Sequence, residues 1–398
     1  MLPREKVLFE NGAIGSVIPS PDKVLGYVCT GVTVAGKFVL GTAYTLRKFA
    51  DLETNLGITA ANNANIVKLI QDHYTVAPEG TETWLIGCAN TVTLEDMVDK
   101  DLTHGKALID AAAGRIRGLI VSRTPAEGYV PTVTHGIDAD CEAAFVHAQA
   151  LGVWAEETKK APIFTIIEGR SFSGTASALP DLTLTSYNRV GCFIGDTVSN
   201  SGNACMGLLG GRIASIPVHR HLGRVKDGAI PALNMYIKDK KVELADVESI
   251  HDKGFITLRT FVGRSGYFYS DDYLAALVTD DYRPLTARRT IDKAYRITYD
   301  TMLQELLDEI PVNSNGTMQL AMIKAWQGLV ENAISLQMTA NGELSADVTD
   351  PKDRGVECFI DPTQNVVSTS LITVRVRVRP FGYARFIDCY LGFKTVTA

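Results

Sequence analysis

Short, uninterrupted apolar runs mark the first half of the chain. They lie at residues 84–88, 118–122, 163–168 and 190–195. Runs of this length without polar breaks are typical of strands buried on both faces of a parallel sheet. The segments between them include residues 139–160, which carry apolar side chains close to helical spacing. Alternation of buried strands with helices predicts an α/β domain with a mostly parallel sheet.

The second half of the chain follows a different pattern. Residues 254–262 predict a strand that opens a second domain. Two long helices are predicted at residues 286–310 and 318–338, because apolar residues recur there at three- and four-residue spacing and Pro311 ends the first. Residues 341–355 are polar and rich in Asp and Gly, which predicts a surface loop before the closing strands.

These patterns divide the chain into three parts, and the predicted fold class is α/β (α+β). Residues 1–20 form an N-terminal arm, since an extended stretch is followed there by turn residues. Residues 21–250 form the α/β body. Residues 251–398 form a C-terminal α+β domain that includes two long helices, closing strands and a terminal strand arm.

The segment 371–379 alternates between apolar and polar side chains. Its apolar face is formed by Ile372, Val374, Val376 and Val378, and its polar face by Thr373, Arg375, Arg377 and Arg379. This pattern predicts a long strand, and a second apolar stretch follows at residues 384–393. A strand so near the end of the sequence must be paired, blunted by charge or donated to another molecule. The arginines are compatible with protection against aggregation and with partner binding.

Composition and charge narrow the class of protein. Hydrophobic residues make up 46% and charged residues 21% of the 398 residues, which indicates a folded protein. The net charge of -6 argues against nucleic-acid binding, because phosphate affinity comes from Lys and Arg. No apolar run reaches the roughly 20 residues that span a bilayer, and the first residues lack the apolar core of a signal peptide. We therefore expect a protein that is made and kept in a cytoplasm.

The seven cysteines are scattered and contain no CxxC pair, so neither a disulfide framework nor a zinc site is indicated. The Gly-rich residues 202–211 are the best candidate for a phosphate-binding loop, but they lack the P-loop and GxGxxG patterns, and close packing is favoured. His219 and His221 would share one face of a strand and bind a metal only if an acidic or histidine partner converged. Two solvated histidines are the favoured interpretation.

The C-terminal domain carries clusters of acidic and of basic side chains. The doublet Asp271-Asp272 lacks the spacing of a calcium loop, so solvated helix ends or an interface are favoured. The basic residues of the first long helix form either an ordinary solvated face or an electrostatic docking face. No motif predicts a catalytic residue, a cofactor or a metal site.

The order of segments in the second half resembles the contractile tail sheath family, whose members surround the tube of phage tails and related contractile injection systems. The resemblance rests on the strand segment GFITLRTFVGRSGYFYSDDYLAA, the helices LTARRTIDKAYRITYDTMLQELLDEI and TMQLAMIKAWQGLVENAI, and the closing strand LITVRVRVR. It is strongest over residues 254–398, weaker in the N-terminal arm and poor in the middle, where sheath proteins vary.

The resemblance implies a structural, non-enzymatic subunit. Sheath subunits stack as six-membered rings around an inner tube, exchange terminal strands with neighbouring subunits, and contract to drive the tube through a target envelope. The implied partners are other copies of the chain, an inner tail tube protein, and baseplate and terminator proteins. Nucleic acid is not among them, and a target membrane is met only through the assembled machine. The implied location is a virion tail or the bacterial cytoplasm.

The resemblance also assigns site residues. The expected inter-subunit interface comprises Lys6, Val7, Leu8, Phe9, Ile372, Val374, Arg375, Val376, Arg377, Val378 and Arg379. In that family an inner face of the C-terminal domain contacts the tube, and our own candidates for tube-facing residues here are Arg288, Arg289, Lys293 and Arg296. Two alternatives stay open at this point: a small-molecule α/β enzyme with a ligand loop near residues 202–211, and a non-contractile ring-forming virion protein.

Overall fold

A computed structural model describes residues 22–393. Its strands are β1 (Leu25–Thr30), β2 (Ala43–Leu46), β3 (Thr83–Cys88), β4 (Gly118–Ser122), β5 (Val133–Thr134), β6 (Ile137–Asp138), β7 (Phe164–Glu168), β8 (Ser186–Tyr187), β9 (Val190–Phe193), β10 (Tyr236–Ile237), β11 (Lys240–Lys241), β12 (Leu258–Phe261), β13 (Arg264–Tyr269), β14 (Ala275–Ala276), β15 (Val356–Ile360) and β16 (Val374–Val378). Its helices are α1 (Asp51–Leu56), α2 (Ala60–Val76), α3 (Leu94–Val98), α4 (Gly105–Ala112), α5 (Ala139–Glu157), α6 (Met206–Ser215), α7 (Val247–Asp252), α8 (Leu285–Leu303), α9 (Leu320–Ile334) and α10 (Val366–Thr369).

A six-stranded sheet organises the first part of the molecule. Its strand order is β2-β3-β1-β4-β7-β9, and every neighbouring pair is parallel except β2 with β3. The central strands are buried on both faces, as their uninterrupted apolar runs require. The predicted mostly parallel sheet is therefore confirmed.

Helices cover both faces of this sheet. A side chain at Gly26 would meet Leu108 of α4, whereas the next residue, Tyr27, reaches Gly210 of α6. Successive residues of a strand point to opposite faces, so α4 and α6 lie on opposite sides of the sheet. Helix α2 packs along α6 on one side, and α3 packs against α5.

The hydrophobic core of this part extends further along the chain than the pattern predicted. Phe255, Ile256, Leu258 and Tyr269 are buried in the same core as the six-stranded sheet. The hairpin of β12 and β13 therefore packs with the α/β body, although residue 251 was expected to begin the second domain. We call residues 22–284 the first body and residues 285–379 the C-terminal module.

The C-terminal module is built on α8, α9 and a ribbon of β15 and β16. Its apolar interior forms two small clusters, one around Val330, Ile334 and Met338 and the other around Ile323 and Trp326. Both predicted long helices are present. Helix α8 ends at Leu303 instead of residue 310, and α9 continues through a π-helical turn at Ser335–Thr339. Residues 341–355 form the predicted loop. Among residues 22–393, none of the helices has the length and apolar character of a membrane span.

Candidate functional site

The terminal ribbon carries the alternation seen in the sequence. β16 pairs antiparallel with β15 of its own chain, from Val356 opposite Val378 to Ile360 opposite Val374. The valines of β16 are half-buried and pack on the small clusters of the module, whereas Arg375 and Arg377 are exposed. The described residues expected at an interface between subunits thus form, in the single chain, one strand of a two-stranded ribbon. The apolar face of the ribbon packs on the module, and its outward face carries Arg375 and Arg377 opposite Phe359 and Glu357 of β15.

The hydrogen-bond register defines the free edge of this ribbon. The Cys358 backbone N–H donates to Glu331 Oε1 (2.9 Å), and the Arg379 N–H donates to the Gly355 carbonyl (2.8 Å). Cys358 and Val376 are therefore a non-hydrogen-bonded pair, in which backbone groups point away from the partner strand. It follows that the backbone groups of Val376 and Val378 face the outer edge of β16. Within residues 22–393, β16 pairs with β15 alone.

Beyond the ribbon, residues 380–393 form what we call the tail. Three of its residues at alternate positions contact the first body. The Phe381 ring lies 5.4 Å from the His219 ring, the Tyr383 hydroxyl donates to the His219 carbonyl, and the Arg385 Nε lies 3.0 Å from Asp271 Oδ2. After Arg385 the tail has no regular secondary structure and exposes its large apolar side chains, namely Phe386 (90%), Ile387 (75%), Tyr390 (97%), Leu391 (101%) and Phe393 (106%).

An ion-pair cluster receives Arg385. Its guanidinium donates to both Asp271 and Asp272, the latter at 3.3 Å. His221 Nε2 lies 2.8 Å from Asp271 Oδ1 and 3.2 Å from Asp272 Oδ1, and His251 Nε2 lies 3.5 Å from Asp271. We call Asp271, Asp272, His221 and His251 the acidic cup.

The acidic and basic side chains of the cup stabilise one another in their charged forms. Burial alone would lower the pKa of His221, but the carboxylates of Asp272 and Asp271 outweigh it and raise the pKa to about 10. Burial would raise the pKa of Asp271, but hydrogen bonds from His221, His251 and Arg385 hold it well below its ordinary range. At neutral pH the His221 imidazolium and the Arg385 guanidinium therefore both bind the ionised Asp271.

Two expectations about these residues are wrong. His219 and His221 lie in the loop after α6 and not on a strand, and both are partly buried against the tail or the cup. Asp271 and Asp272 are buried, so of the alternatives given for this doublet the solvated helix end is wrong. Asp272 accepts from the Thr286 N–H (2.9 Å) at the start of α8. No local pattern could pair residue 221 with residue 271, because their approach depends on the fold of the first body.

The convergence of His221, Asp271 and Asp272 resembles a metal site, since one ligand atom from each lies within 4.8 Å of the others. A metal needs a neutral imidazole and free carboxylate oxygens. Here the carboxylate oxygens are not free, because the Arg385 guanidinium donates to both Asp271 and Asp272 and His221 Nε2 bonds to Asp271 Oδ1. The arrangement is that of a salt-bridge cluster.

The basic residues of α8 are buried, so of the two interpretations left open for them the solvated face is wrong. Lys293 Nζ lies 2.5 Å from Asp22 Oδ2 and 2.6 Å from Glu343 Oε2, and Arg296 Nη2 lies 3.1 Å from Asp22 Oδ1. Arg288 pairs with Asp292, and Arg289 donates to the carbonyls of Ile213 and Ile216. Their assignment as tube-facing residues stays a prediction, and these contacts give it no support.

The Gly-rich segment serves helix packing. A Cβ atom at Gly207 would lie 2.2 Å from the Leu69 carbonyl oxygen, and one at Gly211 would lie 2.5 Å from that of His73. Gly210 faces the Tyr27 hydroxyl, which a Cβ atom would approach to 2.0 Å. Because real Cβ atoms do not come so close, only glycine allows α6 to lie against α2 and the sheet. The favoured interpretation of close packing is confirmed.

The carboxyl edge of the sheet is where an α/β enzyme would bind its ligand, at the point where the strand order reverses. That point lies between β1 and β4. The Thr124 N–H donates there to Thr30 Oγ1 (3.0 Å). Nearby, the buried Glu168 accepts from the N–H groups of Arg123 and Ala204, both at 2.9 Å. The chain's own groups thus occupy the position that a ligand would take.

A shallow cleft of about 300 Å³ opens beside Gly202. Its polar groups bond among themselves, since the Ser201 hydroxyl donates to Asp196 Oδ2 (2.5 Å) and Lys238 donates to the Ser173 carbonyl. These internal contacts leave little for a small molecule to bind. The N-terminal interface residues Lys6, Val7, Leu8 and Phe9 lie outside the described residues.

Comparison with solved structures defines the class of fold. The chain is similar over 99% of its length to 99% of a chain from the cryo-EM structure of the anti-feeding prophage (AFP) baseplate, 6-fold symmetrised, with a TM-score of 0.64 and 12% identity. It is also similar to a chain of the PVC extracellular contractile injection system sheath complex in the contracted state (TM-score 0.60, 14% identity, 98% of this chain and 97% of that chain).

The sheath tail protein from Desulfitobacterium hafniense shares the fold at a TM-score of 0.53 and 10% identity, over 90% of this chain and 94% of that chain. The fold is therefore that of contractile sheath proteins, and the resemblance seen in the sequence is confirmed.

Family models identify the chain more closely. The model described as the DUF2586 N-terminal domain matches residues 2–273, and the DUF2586 C-terminal domain matches residues 281–397. The chain belongs to the DUF2586 family. The two models meet between residues 273 and 281, near the point where the first body gives way to α8. A comparison with curated proteins finds no matching sequence.

Proposed function

We propose that this chain is a structural subunit of a contractile sheath, which polymerises around an inner tube and contracts to drive the tube through a target envelope. Support comes from the fold, which is shared with sheath proteins over nearly the whole chain. The observation that carries the proposal is the exposed apolar segment 386–393, which lies a few residues beyond an open-edged ribbon. Monomeric proteins rarely expose so many large apolar side chains together.

The donor and the acceptor of a strand exchange are proposed to lie in the same module. Residues 386–393 are the donor, and the outer edge of β16 is the acceptor in a neighbouring copy. Main-chain hydrogen bonds contribute roughly 1 kcal/mol net each, so one added strand offsets much of the cost of association. In this proposal residues 372–379 remain part of the interface between subunits, because β16 receives a strand while it stays paired with β15.

Contraction requires only a small preference for one packing. If the contracted arrangement were favoured by about 1.4 kcal/mol per subunit, a ring of six switching together would be biased about a million-fold. Strand joints that survive the change would keep the subunits linked while the contacts between bodies are rearranged. The proposed partners are other copies, the inner tube, and baseplate and terminator proteins.

The donor is tested by ending the chain after Arg385. Because β16 and Arg385 remain, we expect a folded monomer with an unchanged melting temperature that forms no tubes in electron micrographs. A chain ending after Phe393 is the matched control and should assemble, since it keeps every described apolar residue of the tail. Polymerisation of the shorter chain at the concentration needed by the full chain would contradict the proposal.

The acceptor is tested by proline, which removes one backbone N–H. Val376→Pro deletes a donor on the outer edge of β16 and should stop assembly without unfolding the monomer. Arg377→Pro deletes a donor directed at β15 and should loosen the ribbon itself. Equal assembly by Val376→Pro and the unmodified chain would exclude this edge. Sheaths of a single length under all conditions would instead favour the static ring-forming alternative.

A further inference from the structure

The side chains of the tail contact the first body up to Arg385 and are exposed beyond it. Phe381, Tyr383 and Arg385 point to the first body at alternate positions, and the intervening residues Gly382 and Ala384 have little or no side chain. The next residue, Phe386, is 90% exposed, whereas the side chain of Arg385 is only 27% exposed. Arg385 is thus the last point at which the described tail is held by charged groups of the body.

We propose that Arg385 is a positioning residue which, by binding Asp271 and Asp272 of its own chain, fixes the point from which residues 386–393 reach a neighbouring copy. This inference rests on the proposed strand exchange and specifies where the donor segment 386–393 is attached to the body of its own subunit. Arg385 and the acidic cup together are called the clamp below.

The geometry of the clamp suits a positioning role. The guanidinium donates to two carboxylates from one side, which sets its orientation as well as its place. It also lies over the Tyr273 ring at 5.0 Å, and Arg283 lies 3.8 Å from the same ring. Asp271 and Asp272 are 7% and 0% exposed at the side chain, so they are held rigidly by the first body.

Binding of Arg385 to its own body limits the distance that the donor segment 386–393 can span. An extended chain spans at most about 3.4 Å per residue, so the tail up to Phe393 would reach about 48 Å if it were free from Pro380 onward, and about 27 Å if it were free only beyond Arg385. Regular rings need the same exit point in every copy. Loss of the clamp should therefore weaken and disorder assembly, whereas loss of the donor should prevent it.

The first test is made on the monomer and does not depend on assembly. Chymotrypsin cleaves after Tyr383 once the tail leaves the body, and its cleavage after the exposed Phe386 serves as an internal reference. Asp271→Asn leaves the tail sequence intact, and we expect it to speed cleavage after Tyr383 about tenfold, as loss of a charge-assisted hydrogen bond predicts. Arg385→Ala should act in the same direction, and Arg385→Lys should restore part of the protection.

Arg264→Ala is the control, because Arg264 is exposed on β13 and forms no described ion pair. It should change nothing. If neither Asp271→Asn nor Arg385→Ala alters cleavage after Tyr383, the clamp does not hold the tail and the inference is overturned.

The second test asks whether the clamp acts within one chain during assembly. Arg385→Ala and Asp271→Asn subunits are each expected to need a several-fold higher concentration to form tubes. When the two variants are mixed, no single chain carries both Arg385 and Asp271. The concentration needed to form tubes should therefore not fall. Recovery of assembly on mixing would mean that Arg385 binds the cup of another copy, which contradicts the inference. Failure of the strand exchange itself shows separately, as tubes formed by the chain that ends after Arg385.

Discussion

The first body and the C-terminal module differ in how fully the backbone hydrogen-bonding groups of their strands are paired. In the first body, six strands are paired in one sheet, and helices cover both faces. In the module, two strands form a ribbon that is marginal by itself and keeps an open edge, and the tail beyond it exposes its apolar side chains. The comparison indicates that the body maintains shape and the module carries the surfaces available to other molecules.

The two regions are joined by buried charges. Lys293 and Arg296 of α8 bind Asp22 at the start of the first body, and Arg189 Nη1 lies 3.3 Å from Asp292 Oδ2 of α8. Arg385 returns from the tail to Asp271 and Asp272. Breaking a buried pair leaves an uncompensated charge, so these contacts hold the module in one place relative to the body.

The largest expected difference concerns one glycine in each region. Gly207→Ala places a Cβ atom 2.2 Å from the Leu69 carbonyl oxygen, so α6 and α2 must move apart. We expect a loss of about 3 kcal/mol or more in the free energy of unfolding, measured by urea titration. Gly328→Ala in α9 meets no atom within 4 Å and should stabilise the protein by about 0.5–1 kcal/mol, because alanine favours the helix.

These two variants also discriminate the enzyme alternative from packing. A ligand loop at residues 202–211 would lose binding on substitution while the fold persisted. The packing interpretation instead requires a large loss in the free energy of unfolding. A stable Gly207→Ala protein would show that the close approach of α2 and α6 is not needed.

Strands and helices of the first body were predictable because local pattern determines them. The run at 118–122 became β4 (Gly118–Ser122) without change, since an uninterrupted apolar run is compatible only with burial on both faces. The helix predicted at 139–160 became α5 (Ala139–Glu157). In the module, β16 was found but its partner was not, because the alternation of Val374 and Arg375 defines faces and says nothing about which strand lies alongside.

The buried charges were not predictable from pattern. Lys293 and Arg296 look like part of a solvated helix face, and only their approach to Asp22 and Glu343, at least 50 residues away in sequence, makes burial possible. Arg289 is buried because it donates to the Ile213 and Ile216 carbonyls, which are also distant in sequence. The same reason hid the acidic cup, whose members come from three separate segments. Long-range ion pairs carry no local signal, whereas hydrophobic periodicity does.

The next prediction uses pH to separate two parts of the first body, the buried His73 and the acidic cup that holds the tail, which should lose stability in opposite directions. Burial in the first body lowers the pKa of His73 to about 3, with its ring bonded to Tyr27 and Thr83. The unfolded chain, with an ordinary pKa of about 6.5, therefore binds more protons between these values. The free energy of unfolding should fall by a few kcal/mol as pH falls from about 6.5 toward 3.

His221 has the opposite sign, because its pKa in the folded protein is raised to about 10. Its contribution is complete below about pH 6.5 and is lost as pH rises toward 10. Thermal unfolding of His73→Gln should show a flatter acid limb, and that of His221→Gln a flatter alkaline limb. An alkaline limb unchanged by His221→Gln would mean that the cup does not stabilise the folded chain.

The smallest expected effect is chemical and leaves stability unchanged. Six cysteines are buried, and burial raises the pKa of Cys88, for example, to about 12, whereas Cys389 lies exposed in the tail. Since the thiolate is the reactive form, a maleimide at neutral pH should modify one thiol in the native monomer and seven after denaturation. In assembled sheaths Cys389 should become protected, because the donor segment would be covered by a neighbouring copy. Undiminished labelling in tubes would leave the tail outside the interface, and modification of several thiols in the native monomer would show that the first body is more open than its buried sheet implies.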